Sequence, residues 1–315
     1  MNYLLPFESA TFTRSYLFNH YERQQTSNAS SKSYRNCYPF IYHLQHGKLY
    51  LEQTLRSPIE LQPILLFYGL SQMLKGCLLI VDPLYPETSS VLAHGVSTRK
   101  RKKQGYSFLQ DEVKVQRNGL YAHMLTNMFH VKHQEREKYS MLFLLKQLPD
   151  LGNMFTLLRK EEVFLQGRIQ RDHFLFSTCI LDSYHMTSNR FEQYIHEHGG
   201  SWLDTDRPII EGENSIRLPL KNGKIPPTEP SPLLYDQTGL PHLHVLKKDA
   251  GFLPELAVHY LLLYNLSMIC RYEAEWWGEL LHTFDSHDLP LIKSYLALAH
   301  TRLHQLFEAF LSNPK

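Results

Sequence analysis

A chain of 315 residues is long enough to bury a large core, as one domain or as two. Its 33 basic and 31 acidic side chains leave a formal charge of +2, which excludes the large positive excess of a dedicated nucleic-acid coat. The four cysteines, Cys37, Cys77, Cys179 and Cys270, form no Cys-x-x-Cys pair and read as buried free thiols of a reducing compartment, excluding a zinc ribbon or dithiol redox centre.

In chain order, Thr11 to Arg23 and Ser33 to Tyr50 have helical character, the second opened by serine and interrupted near Pro39. Between Ile64 and Val81 the apolar positions Leu66, Leu70, Met73, Cys77 and Ile80 advance by fours and threes, the stripe of an amphipathic helix. Pro63 ahead of it and Asp82-Pro83 behind it fit a first-turn proline and a sharp stop. Gln72 and Lys75 near its middle argue against a membrane span. The 15 residues from Leu256 to Cys270 are too few for one, so both segments read as core helices. The start, Met1 to Glu8, lacks a basic n-region and a long apolar run, so no secretion signal is expected and the location is expected to be cytoplasmic.

The middle of the chain has a different composition. Eight of the 17 prolines and six of the 15 glycines fall between Gly199 and Pro254, where loops and short strands must dominate. Candidate strands are Glu112 to Val115, His173 to Leu181, and Ile209 to Leu218 around a turn at Glu211-Gly212-Glu213; Asn222-Gly223 reads as a further turn. Beyond Pro254 a helix runs to about Arg271, apolar on nearly every side and hence central, and a short one follows from Trp276 to Thr283. Ile292, Leu296, Ala299, Leu303, Leu306 and Phe310 then mark the clearest stripe in the chain, beginning after Pro290. The expected fold is therefore α+β, mostly α: a helical bundle built from both termini around a mixed, loop-rich middle, read as one domain over 1–315 with 83–253 as a mixed insert.

The sharpest electrostatic feature is Arg99-Lys100-Arg101-Lys102-Lys103, inside a stretch from Arg99 to Lys138 that holds ten basic and four acidic residues. Five adjacent cations repel one another and need solvent or an anion, so the run is either a solvated loop or an anion-binding segment. Ahead of it, His94-Gly95 places an imidazole where the chain can approach a ligand closely, or where it bonds locally. Arg271, beside Tyr272 and the Trp276-Trp277 pair, must find a partner if buried; it is expected to anchor structure by helix-end carbonyls or a carboxylate and by stacking on an indole, with Trp277 beside it, or to hold a ligand. The histidine pairs His242/His244, His196/His198 and His300/His304 lack third and fourth ligands in sequence, and no phosphate loop or hydrolase elbow is present. No metal, cofactor or catalytic residue is expected.

Cys37-Tyr38-Pro39-Phe40-Ile41-Tyr42, Pro63-Ile64-Leu65-Leu66-Phe67-Tyr68-Gly69, Leu92-Ala93-His94-Gly95-Val96, and Arg271-Tyr272 followed by Trp276-Trp277 together resemble the YaaC-like family of low-GC Gram-positive bacteria. The resemblance spans nearly the whole chain, although Ala274 stands where many members carry a proline, so the local helix break is weaker. It implies a gene neighbourhood with IMP dehydrogenase, hence a protein partner in purine nucleotide synthesis, and terminal helices similar to HEPN-type bundles. HEPN ribonucleases use an arginine and a histidine four to six residues apart near a helix start; here the matching spacing is Arg117 with His123, in a stretch that reads as strand and turn. The resulting expectation is a non-enzymatic regulatory or adaptor protein meeting an anionic partner through Arg99 to Lys103, His94 and Arg117. The alternatives are an RNA-binding or RNA-processing protein and a regulator acting through IMP dehydrogenase; RNA or a nucleotide is a candidate ligand, and no membrane is involved.

Overall fold

The computed structural model describes residues 2–99, 106–131, 137–198, 200, 203–221, 230–283 and 286–312. The chain opens with α1 (Ala10–Arg23), capped by Ser9, whose hydroxyl accepts from the Phe12 N–H at 3.3 Å, and continues through α2 (Ala29–Thr54) and α3 (Gln62–Val81). A three-stranded antiparallel sheet follows, β1 (Val96–Thr98), β2 (Glu112–Val115) and β3 (Lys138–Ser140), with α4 (Leu120–Phe129) between its last two strands. Short helices α5 (Met141–Leu145) and α6 (Gly152–Arg159) lead into β4 (Phe164–Gln166), β5 (Arg168–Gln170) and β6 (His173–Ser177). Then come α7 (Cys179–Tyr184), α8 (Ser188–His198), β7 (Ile210–Glu211), β8 (Ser215–Pro219), β9 (Leu233–Tyr235) and β10 (Pro241–His244). The C-terminal helices are α9 (Glu255–Tyr272), α10 (Ala274–Thr283) and α11 (Asp288–Ser312).

Helix α3 is the axis of the larger core, packing against α1, α2, α4, α9 and α11. Its stripe of Leu66, Leu70, Met73, Cys77 and Ile80 is fully buried, as the periodicity predicts. By length and composition α3 could cross a membrane, but 67% of its apolar window is buried inside the fold, as in the central helix of a bundle. Helix α9 lies beside it with Leu256, Tyr260, Leu261, Leu262, Leu263 and Leu266 at 0–1% exposure, so the terminal stripes face one shared core. Removing any one of these leucines to alanine should cost about 2–5 kcal/mol.

A second core lies between β6, β8, α7 and α8, built on Phe174, Phe176, Ile180, Phe191, Ile195 and Ile216. Its sheet runs in the order β5-β6-β8-β7, all antiparallel, around the turn expected at Glu211-Gly212-Glu213. The remaining sheet, β4-β10-β9, serves both cores. Leu243 belongs to the second core, while on the opposite face His244 Nε2 meets the Lys146 carbonyl at 2.8 Å in the first. All four residues of β10 are buried for that reason.

Two expectations from sequence need correction. Helix α2 runs unbroken through Pro39, which stands exposed, while Phe40, Leu44 and Leu51 are buried against α3. The proline penalty of about 3 kcal/mol is offset by burial on both sides of it. The stretch His173 to Leu181 is a strand only to Ser177; from Cys179 the buried Ile180, Leu181 and Tyr184 follow helical spacing, which turns Cys179 outward to solvent. Cys37 and Cys77 are buried and Cys270 is half-buried. The expected turn at Asn222-Gly223 lies outside the described residues.

Candidate functional site

The last turn of α9 presses Arg271 against α3. Its Nε donates to the Ser267 carbonyl at 3.1 Å, Nη1 donates to the Tyr68 hydroxyl at 3.2 Å, and Nη2 lies 3.1 Å from the Met268 sulfur. The guanidinium carbon stands 5.8 Å from the Tyr68 ring centre and 5.3 Å from that of Tyr272. Sequence suggested a carbonyl or carboxylate with an indole; the carbonyl is there, but the rings are tyrosines, because Trp277 on α10 is buried and its Nε1 donates to the Glu60 carbonyl. None of the ion pairs among the described residues includes Arg271, so a half-buried, permanent cation meets only neutral acceptors.

Tyr68 begins the one partly exposed polar stripe of α3, which continues at Gln72 and Lys75 with spacing four and three. Burial pushes the Lys75 ammonium below its ordinary range, and it too is in none of the ion pairs among the described residues. Across from it on α2, His43 Nδ1 lies 2.7 Å from Gln72 Oε1, and its pKa is lowered by burial, with Lys75 adding in the same direction. Tyr50 of α2 packs its ring 6.0 Å from that of Tyr68.

His94 enters from the turn before β1. Its ring sits 5.0 Å from Phe67 and 5.6 Å from Tyr264, and its carbonyl accepts from the Tyr260 hydroxyl at 2.9 Å and the Tyr121 N–H at 3.2 Å. Burial holds the imidazole pKa below its usual value, and the charges of Arg271 and Lys75 lower it further. Its position is set by a backbone crossing: Gly95 has φ +77°, Gly119 has φ +129°, and a Cβ on Gly119 would stand 2.3 Å from the Gly95 Cα. Side chains are excluded there, which fixes where His94 can stand.

Arg271 thus packs on Tyr68 of α3, His94 packs on the adjoining Phe67 and on Tyr264 of α9, and the charges of Arg271 and Lys75 both act on the His94 imidazole. Positive charge of this kind, desolvated and without an internal counter-ion among the described residues, is suited to an oxyanion. Sequence singled out His94 and Arg271 separately and missed Lys75, His43 and Tyr68. The available signal was the row Tyr68, Gln72, Lys75 on an otherwise apolar helix.

The other expected residues lie elsewhere. Arg99 is exposed just past β1, and Lys100, Arg101, Lys102 and Lys103 are outside the described residues. Arg117 is exposed in the turn before α4, whereas His123 is on α4 with its Nε2 2.9 Å from Asp82 Oδ2. Burial raises the Asp82 carboxyl, but the bonds from His123 and the Leu84 N–H outweigh it and hold the carboxyl below its ordinary range. No described contact joins Arg117 to His123. His242 Nδ1 faces the Leu240 carbonyl, His300 Nε2 the Leu51 carbonyl and His304 Nδ1 the Tyr3 hydroxyl. His196 and His198 close the exposed last turn of α8.

A model of the family described as YaaC-like protein matches residues 5–311, so the chain belongs to the YaaC-like family. Comparison with curated proteins and with solved structures finds no match.

Proposed function

We propose that this member of the YaaC-like family is a ligand-binding regulatory protein whose site, formed by Lys75, His94 and Arg271, holds a small anion. One observation carries the reading: the charges of two half-buried cations, Arg271 and Lys75, both act on the half-buried His94 imidazole, and no ion pair among the described residues neutralises them. A cation held only for structure is normally matched by a carboxylate, because an unmatched one loses hydration without return. Binding an oxyanion restores that balance, and the guanidinium's remaining donors supply direction.

The same short segment links the site to the surface. Four residues separate His94 from Arg99, which is exposed, so an anion at His94 acts on the base of the basic run. A protein partner with an acidic face is the proposed reader of that segment.

Isothermal titration of the full chain with inorganic phosphate in low-chloride buffer tests the reading. Saturable binding is expected, weakened by about tenfold or more in Arg271→Ala and in Lys75→Ala. The absence of binding by phosphate, pyrophosphate and carboxylate anions alike would remove the proposal. The expectation of IMP dehydrogenase as partner is tested with the same preparation, by co-elution of the two purified proteins with and without phosphate; elution apart in both conditions counts against it.

A further inference from the structure

We infer that the cavity between α6 and the β4-β10-β9 sheet is a binding site for a linear aliphatic polyamine, its ammonium groups taken by Asp150, Asp236 and Glu162 and by the imidazole of His242. The site shares no residue with Lys75, His94 and Arg271, and it stands or falls without them.

The cavity has a volume of about 500 Å³, in the range of small-molecule sites. Its wall runs from Asp150 and Thr156 across Phe164 and His242 to the turn between β9 and β10. Apart from His242, the titratable side chains of that wall are all carboxylates: Asp150, Glu162 and Asp236. None of the three is in an ion pair among the described residues.

Acidic side chains alone would suit a wet surface, but His242 does not fit one. It is 7% exposed, and its Nδ1 stands 3.0 Å from the Leu240 carbonyl, which can only accept, so Nδ1 carries the proton. In the neutral ring Nε2 then keeps a lone pair, and none of the hydrogen bonds among the described residues reaches it. A buried acceptor in the wall of a cavity calls for a donor from the cavity.

The carboxylates are oriented for the same task. Asp236 Oδ1 accepts from the Thr238 N–H at 2.9 Å, the Thr238 hydroxyl at 2.6 Å and the Leu240 N–H at 2.9 Å, while Oδ2 takes none of the described bonds. Asp150 Oδ1 accepts from the Gln237 N–H at 3.1 Å, which ties it to the same turn. Burial raises the Asp150 carboxyl above its ordinary range, and Asp236 and Glu255 add to the rise against the Gln237 N–H and Arg302. A bound cation would offset that cost.

Spacing selects the cation. Asp236 lies beside Leu240, whose carbonyl accepts its N–H, and Glu162 adjoins Val163, whose carbonyl accepts from the Val245 N–H. The five steps of extended chain from Leu240 to Val245 span about 17 Å. Acids therefore stand at two separated ends, with Phe164 and His242 between them. A single ammonium reaches one end only, and the described residues contain no group of three His, Cys, Asp or Glu side chains able to hold a metal ion. A methylene chain with an ammonium at each end meets both, its apolar part crossing Phe164.

Isothermal titration of the full chain at physiological ionic strength uses spermidine, butylamine, magnesium chloride and neutral 1,8-octanediol. Spermidine is expected to bind saturably, one per chain, and about tenfold or more tightly than butylamine, with no binding of the diol. Asp150→Asn, which keeps the oxygen that accepts from Gln237, and Glu162→Gln, at an exposed position, should each weaken spermidine by about fivefold or more. Glu52→Gln on the exposed face of α2 should leave it unchanged, and circular dichroism checks that all three variants are folded. Phosphate affinity should stay the same in the first two variants, so failure of either site is read without the other. Absence of spermidine binding overturns the inference, as does a loss in Glu52→Gln as large as that in Asp150→Asn, which would mean general attraction to acidic surface. Equal affinity for butylamine overturns the two-ended ligand, and displacement of spermidine by equimolar magnesium overturns the polyamine class.

Discussion

The two ends of α9 treat charge in opposite ways. At its first turn Glu255 receives Arg302 of α11 through two bonds, Nε at 2.6 Å and Nη2 at 2.8 Å, and Arg302 also donates to the carbonyls of Tyr235 and Asp236. His259 adds its Nε2 at 3.5 Å from Glu255, and the bonds from Arg302 and His259 hold the Glu255 carboxyl below its usual range although burial raises it. At the last turn Arg271 has neutral acceptors only among the described residues. The helix macrodipole favours an acid at the first position and a base at the last, so it accounts for both placements and for neither pairing. What differs is saturation: one end is closed by the chain's own carboxylate, and the other has no carboxylate partner among the described residues.

The largest effect should come from breaking the saturated end. Glu255→Ala strands Arg302, which is 8% exposed, and is expected to cost about 3–5 kcal/mol in equilibrium urea unfolding. A loss under about 1 kcal/mol would mean that Arg302 is held by the carbonyls of Tyr235 and Asp236 and not by charge, and the contrast between the ends would fail.

A second lever is acid. Burial holds His244 and His304 at about 4, below the ordinary value of 6.5, so the folded protein keeps both neutral. As pH falls below about 6.5 the unfolded chain binds protons that the folded chain refuses, so stability is full above that pH and declines toward pH 4. The decline should amount to a few kcal/mol and be smaller in His244→Gln, followed by thermal unfolding across that range. A flat profile between pH 7 and 4.5 would be incompatible with two neutral buried imidazoles.

Gly119→Ala should cost about 1–3 kcal/mol through its backbone and displace His94 through Gly95. Phosphate affinity is therefore expected to fall along with the melting temperature; a fall in stability with binding unchanged would show that the crossing does not position His94. Smallest of all, Arg271→Ala should change stability by less than about 1 kcal/mol while abolishing most of the phosphate affinity. A loss comparable to that of Glu255→Ala would place Arg271 with the structural cations and sharpen the comparison in the other direction.

Much of the fold was legible. The stripes of α3, α9 and α11 predicted helices that share a core, since periodic apolar residues can be buried only against one another. Pro39 misled because a local penalty says nothing of the packing on either side of it. At His173 to Leu181 strand-like composition continued past the point where spacing changed from two to helical. The site was legible in pieces only. His94 and Arg271 drew notice as isolated oddities, but 177 positions separate them, and no local pattern reports that a turn and a helix end meet. Gln72 and Lys75 sat in view as reasons against a membrane span, and their shared face became informative only once α2 and α9 covered the rest of α3.

Strand β10 has a consequence for how the molecule comes apart. Because one side of it closes the helical core and the other closes the sheet-and-helix core, neither can open without exposing part of the other's wall. Melting should therefore register in a calorimeter as a single endotherm whose calorimetric and van't Hoff enthalpies agree, although the chain contains two separate hydrophobic clusters.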